Sequence, residues 1–176
     1  NLLYDLSQTG IPTDNVDREQ IAKPLKWHIG NVKRFMVFIG PVSSIFDYAT
    51  YALMWFFFRC SAFSDPATGP QQKEALASLF QTGWFVESLL TQTLIVHIIR
   101  TRRIPFFGSC ASLHMTLTTL TIMAVGAWLP YSPFAKSLGM VPLPLVYWIW
   151  IAAFLFTYAI LTHFVKTWFF NRYGGD

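Results

Sequence analysis

Charge is scarce in this chain. Of its 176 residues, 12% are Asp, Glu, Lys or Arg and 53% are hydrophobic. Soluble domains carry about 25% charged residues, so an ordinary water-exposed globule is excluded. Cysteine is nearly missing as well. Cys60 and Cys110 fall at opposite ends of apolar runs, hence on opposite membrane faces, where they cannot pair and form no metal or redox motif. His97, His114 and His163 are too far apart in sequence for an H-x₃-H metal site. Glycine-rich phosphate loops and nucleophile elbows are absent, so the chain holds no catalytic centre of its own. Internal repeats, low-complexity tracts and heptad seams are absent too.

What remains is apolar and segmented. Residues 35–58, 79–99, 111–129 and 145–165 are each long enough to cross a hydrocarbon layer of about 30 Å at about 1.5 Å per residue. The expected fold is an all-α membrane protein with four full transmembrane helices, and its first partner is the lipid bilayer. The net charge of +4 reads as topology and not as affinity for nucleic acid. Arg18, Lys23, Lys26, Lys33, Arg34, Arg100, Arg102, Arg103, Lys166 and Arg172 fall in connectors on one side, and only Arg59, Lys73 and Lys136 on the other. The positive-inside rule then places both ends of the chain in the cytoplasm. Trp55, Trp84, Trp128 and Trp148 near outer ends, with Trp27 and Trp168 near the inner face, read as interface anchors.

Two carboxylates interrupt the apolar runs. Asp47 lies within 35–58 and Glu87 within 79–99, and neither run contains a Lys or Arg to pair with them. A charge at bilayer depth costs at least about 2.5 kcal/mol, so such a group needs a partner, a proton or a cation. Ser43, Ser44, Thr50 and Tyr51 share the Asp47 face at helical spacing, and Gly83, Trp84 and Thr91 share that of Glu87. Gly83 would let a neighbouring helix approach closely. Either acid can also be read as protonated and inert, hydrogen-bonded to a neighbouring helix. The pair Gly40-Pro41 sits early in the first run, where it can free a backbone carbonyl.

No cleavable signal is visible at the start. Asn1-Leu2-Leu3-Tyr4-Asp5-Leu6 reads as the end of a helix whose beginning lies outside the chain, stopped by Gly10 and Pro12. This segment resembles the second half of the sixth membrane helix of P-type cation ATPases, where an Asn and an Asp four residues apart help hold the transported ion. The segments Gly40-Pro41-Val42-Ser43-Ser44-Ile45-Phe46-Asp47, Gln81-Thr82-Gly83-Trp84-Phe85-Val86-Glu87, Gln92-Thr93-Leu94 and Arg100-Thr101-Arg102-Arg103-Ile104-Pro105-Phe106 resemble the magnesium-transporting branch. The likeness covers essentially the whole chain. Glu87 matches the glutamate that calcium pumps place in the eighth helix, whereas Tyr4 stands where those pumps have a threonine ligand.

The resemblance implies part of a ten-helix P-type ATPase transport domain. Residues 1–8 would end helix six, 9–34 form a cytoplasmic connector, and 35–58, 79–99, 111–129 and 145–165 be helices seven to ten. Residues 59–78 and 130–144 would be outer loops, 100–110 a cytoplasmic turn and 166–176 a cytoplasmic tail. It implies Asp5 and Asn1 as metal ligands for Mg²⁺, with Glu87 and Asp47 as supporting intramembrane acids. Mg²⁺ takes six oxygens and keeps several waters, which suits a few carboxylates and carbonyls, although Ca²⁺, Mn²⁺ and protons fit the same groups. The implied partners are the remaining membrane helices and cytoplasmic domains of the parent pump, which would supply ATP hydrolysis in a bacterial inner membrane. The alternative is a small four-helix membrane protein acting as a proton-coupled carrier or partner subunit.

The charge count predicts a topology. Residues 61–72 and 132–141 should face outward, and 9–33, 100–108 and 171–176 the cytoplasm. A single cysteine at residue 68 should react with an impermeant reagent added outside, and reaction only from the cytoplasmic side would contradict the topology.

Overall fold

The apolar runs become helices. The computed structural model describes residues 2–17, 29–106 and 108–173, with the side chain of Asn31 excepted, and among them no named strand forms. Asn1, Trp27 and the basic residues Arg18, Lys23 and Lys26 therefore lie outside the described residues. Helix α1 spans Leu2–Ser7 and runs into a 3₁₀ turn, Gln8–Thr13, that contains Pro12. Helix α2 spans Ile29–Ala52, passes through Pro41 without interruption, and is extended by a π-helical turn over Leu53–Phe57. Helices α3 (Pro70–Ile99), α4 (Leu113–Trp128) and α5 (Leu145–Tyr173) follow. Four segments, α2 with its π turn and α3 to α5, are long and apolar enough to cross a membrane. The molecule is a multi-pass all-α membrane protein.

Helix α3 starts well before the apolar run at 79–99. Gly69 supplies an extended N-cap and Pro70 the first helical position, where its missing N–H costs nothing. Thirty residues span about 45 Å, more than the hydrocarbon layer of about 30 Å. The polar first turns around Gln71, Gln72, Lys73 and Glu74 therefore stand clear of the apolar layer. Trp84 falls about midway along the whole helix, within a few residues of the point where its apolar stretch begins. Helix α5 likewise continues through Lys166 to Tyr173, so that most of 166–176 is helix.

Helix α3 is the central element. Of its apolar stretch 56% is buried, against 28% or less for each of the other three. Leu53, Met54, Val86, Leu90, Tyr147 and Ile151 form a core between α2, α3 and α5, and Val42, Phe46 and Tyr158 a second between α2 and α5. Lipid tails are as apolar as leucine, so such contacts hold by close packing and interhelical hydrogen bonds. Gly83 shows how: a Cβ there would sit 2.8 Å from the Met54 sulfur and 3.3 Å from the Tyr147 ring. The Tyr147 hydroxyl donates to the Gly83 carbonyl at 2.5 Å. Gly126 on α4 makes room in the same way for Leu89. At the basic end, Phe35 and Phe38 of α2 meet Phe169, Trp168 and Tyr173 of α5 edge-on or stacked.

The 3₁₀ turn after α1 docks on α4 through Gly10. A Cβ at Gly10 would lie 2.7 Å from the Met115 Cα, a backbone atom that cannot swing aside. Gly10→Ala should therefore lower stability by about 1–3 kcal/mol. Gly83→Ala should cost less, because its nearest neighbour is the flexible end of Met54. Thermal unfolding of the purified membrane protein reads both. Wild-type stability of Gly10→Ala would contradict the docking.

Candidate functional site

The two intramembrane acids face each other across α2 and α3. Glu87 is 1% exposed, and both its carboxylate oxygens are buried without a hydrogen-bond partner among the described residues. Asp47 is half-buried, within electrostatic reach of Glu87, and accepts a long hydrogen bond of 3.4 Å from the Trp84 indole. Tyr51 lies edge-on to Trp84, and Tyr147 and Tyr158 of α5 close the far side. The Thr91 hydroxyl gives no help, because it donates to its own helix at the Glu87 carbonyl, 3.0 Å away. Among the described residues no lysine or arginine perturbs Glu87.

Asp5 is not part of that cluster. It is exposed on α1, and α1 packs against α4 and a different side of α3. Between them opens a cavity of about 810 Å³, bounded by Leu2, Leu3 and Tyr4 on one side and by Gln81, Trp84, Ser88 and Gln92 of α3 on the other. Gln92 donates to the Ser88 hydroxyl at 2.9 Å. Glu87 points about 100° around the helix from Ser88, into the acid cluster and away from the cavity. Trp84 stands between the two, lining the cavity while its N–H holds Asp47. Reasoning on acids alone passed over Gln81, Ser88 and Gln92. Their spacing of seven and four residues puts them on one helix face, a signal present in the sequence.

A second constellation ties the basic end together. Asp14, in the connector after α1, pairs with Arg100 at the end of α3 (Nε to Oδ2, 2.5 Å) and accepts the Ser112 N–H at 2.8 Å. Asp17 accepts from the Thr101 hydroxyl at 2.5 Å and the Ser109 hydroxyl at 2.6 Å. Lys166 of α5 is fully buried and donates to the carbonyls of Ile98 (2.9 Å), Thr101 (3.0 Å) and Arg103 (3.2 Å). Those carbonyls belong to the end of α3 and the turn after it, where a helix leaves acceptors unpaired and the macrodipole is negative. Connector, turn and last helix are thus one hydrogen-bonded unit.

Comparison with known proteins assigns the chain to a family. A family model described as "Cation transporting ATPase, C-terminus" matches residues 1–168. The chain belongs to that family. It is 51% identical, over 174 residues, to proteins named "Magnesium-transporting ATPase, P-type 1" from Escherichia coli strain K12 and Salmonella typhimurium strain 14028s. It is 46% identical to another protein of that name from Salmonella typhimurium strain LT2. Each match covers 99% of this chain and 18% of the relative, so the chain spans under a fifth of their length. Four helices long and apolar enough to cross a membrane are consistent with the C-terminal membrane region of that family. The reading as the C-terminal membrane part of a P-type ATPase is thereby favoured over a free-standing four-helix carrier.

The connector's lock on the turn should respond to acid. Burial pulls the Asp14 carboxyl upward, but hydrogen bonds from Arg100 and from the Ser112 and Asn15 backbone outweigh it, and its pKa is lowered. Asp17 is lowered chiefly by the Ser109 and Thr101 hydroxyls. A carboxylate whose folded pKa is depressed stabilises the fold above its unfolded pKa, and that contribution is lost as pH falls through the folded value. Amide-exchange protection of residues 14–17 should hold from pH 8 to 5 and fall only below about pH 4. Arg100→Gln should weaken it at every pH. Loss of protection near pH 6 would contradict this assignment.

Proposed function

We propose that this chain is the C-terminal membrane part of a magnesium-importing P-type ATPase, with Mg²⁺ as the transported substrate. The observation that carries the reading is 51% identity, along 99% of the chain, to pumps whose names state magnesium transport. Phosphorylation and nucleotide binding, with the Mg²⁺ that accompanies ATP, would reside in the parts of the parent that lie outside this chain. The parent would sit in a bacterial inner membrane with both ends of this segment cytoplasmic. The basic residues of the 100–112 turn and the connector anchored to it support that orientation.

In this reading residues 1–8 close the sixth helix, 9–34 lie on the cytoplasmic side and include the first turns of α2, and α2 to α5 supply helices seven to ten. Asp5 and Asn1 are the ion ligands contributed here. Asp5 is exposed in the described chain, so its carboxylate is open to oxygens from the rest of the pump. A carboxylate and an amide on adjacent turns, completed by carbonyls and retained water, match what Mg²⁺ requires. Glu87 and Asp47 support the path from one layer behind, with Trp84 carrying the contact between cavity and acids. Ser88 and Gln92 offer neutral oxygens toward α1, suited to a cation that keeps part of its water shell.

The test is substitution in the full-length pump. Asp5→Ala should abolish ion-stimulated ATPase activity and Mg²⁺ uptake while leaving the protein folded. Glu87→Gln and Asp47→Asn should be milder, changing pH dependence or apparent affinity first. Normal Mg²⁺ stimulation of Asp5→Ala would refute the ligand assignment.

A further inference from the structure

A narrow apolar cavity opens at the end of the bundle opposite the basic turn. It holds about 190 Å³, with Trp55, Cys60 and Phe63 on one wall and Leu76, Ala77 and Phe80 of α3 on the other. The first wall is built by the π turn at the end of α2 and by the 3₁₀ turn after it, Cys60–Ser64. Protein interiors leave few voids larger than a water molecule, and an apolar cavity of about 150 Å³ stays dry and admits a hydrocarbon instead. Phe56 and Phe57, next to Trp55 in the π turn, are exposed apolar side chains of a membrane span, so the mouth of the cavity meets lipid.

Depth places the cavity at the edge of the hydrocarbon layer. Arg100 follows α3, so Ile99 marks the far edge of its apolar stretch. At about 1.5 Å per residue, Gln81 at the deep end of the cavity stands about 27 Å from Ile99, Ala77 about 33 Å and Lys73 about 39 Å. With a layer of about 30 Å, the cavity is level with the first methylenes of a lipid chain, and Lys73 with the headgroups. Lys73 shares its helix face with Ala77, four residues on. Arg59 directly precedes Cys60 in the opposite wall. Two of the three basic residues on this side of the membrane, Arg59 and Lys73 but not Lys136, thus flank one cavity. Neither pairs with a carboxylate among the described residues, and the Trp55 indole N–H makes no hydrogen bond among them.

Size decides between a lipid and a protein occupant. A single helical turn, about 10 Å across and about 5.4 Å high, fills about 400 Å³, which is more than the cavity holds. A chain one methylene thick fits. An ammonium and a guanidinium above an apolar hole suit a phosphate, and an indole N–H at the acyl boundary suits an ester carbonyl.

We propose that α2 and α3 form a binding site for one phospholipid of the leaflet opposite the basic end. The upper part of one acyl chain occupies the cavity, Trp55 donates to its ester carbonyl, and Lys73 and Arg59 take the phosphate. The bound lipid joins the π turn of α2 to the first turns of α3. The site needs only the membrane fold and stands apart from the assignment of the ion ligands.

Photolabelling of the full-length pump tests this. The pump is reconstituted in vesicles of phosphatidylethanolamine and phosphatidylglycerol that contain a trace of phosphatidylglycerol with a diazirine near the top of one acyl chain, and labelled peptides are identified by mass spectrometry. Label should concentrate on residues 55–63 and 76–81 and exceed that on Ile149, a lipid-exposed side chain near the same end of α5. Ala77→Phe puts a ring into the cavity and should lower labelling of both segments about tenfold, the equivalent of excluding two methylenes, with Ile149 unchanged. Lys73→Gln, a change outside the cavity, should lower it about fivefold, the equivalent of one basic residue at an anionic surface. Label on the two segments no stronger than on Ile149, as loose boundary lipid or a helix of the parent over the cavity would give, would overturn the proposal. So would labelling at the wild-type level in Ala77→Phe or in Lys73→Gln.

Discussion

One buried ammonium organises the basic end of this molecule. Lys166 reaches from α5 to three carbonyls at the close of α3 and in the turn after it. Those acceptors have no helical donors left, and each would cost about 1–3 kcal/mol if buried unpaired. The positive charge also meets the negative end of the α3 macrodipole. With the turn thus fixed, Thr101 and Arg100 are presented to Asp17 and Asp14, and the connector after α1 is drawn onto the bundle. The position of α1 against α3 and α4, and with it that of Asp5, depends on this chain of contacts.

The middle of the bundle is built on the opposite principle. There Glu87 and Asp47 have tyrosines, threonines and a tryptophan around them and no cation among the described residues. Close packing by Gly83, Met54 and Tyr147 seals this cluster on the outer side. Fixed charge at one end and, at mid-depth, acids without a cationic partner among the described residues are the two contrasting features of one bundle. Trp84 connects the acids to the cavity beside α1, since one side chain borders both.

Four spans were legible in the sequence because an apolar run long enough to cross a bilayer has few other uses. The start of α3 was not, because Pro70–Glu74 is polar and helical at once, and hydropathy sees only the first property. Lys166 illustrates a deeper limit. Counting it with the basic connectors gives its side of the membrane but hides that it is fully buried, which only the extension of α5 to Tyr173 reveals. The two acids stood out for lacking partners within their own runs, yet their facing each other, with Glu87 turned from α1, is a matter of helix rotation that composition does not encode. Ser88 and Gln92 carry no such flag as site residues, because neutral polar side chains are common in membrane helices and hold no charge.

The measurement that bears most directly on this account is the thermal unfolding of the full-length pump carrying Lys166→Met. Methionine fills similar volume but leaves the carbonyls of Ile98, Thr101 and Arg103 without their donor. The account predicts a loss of about 3 kcal/mol, with the connector at residues 14–17 released from the turn together with it. Wild-type stability with the connector still docked would contradict it.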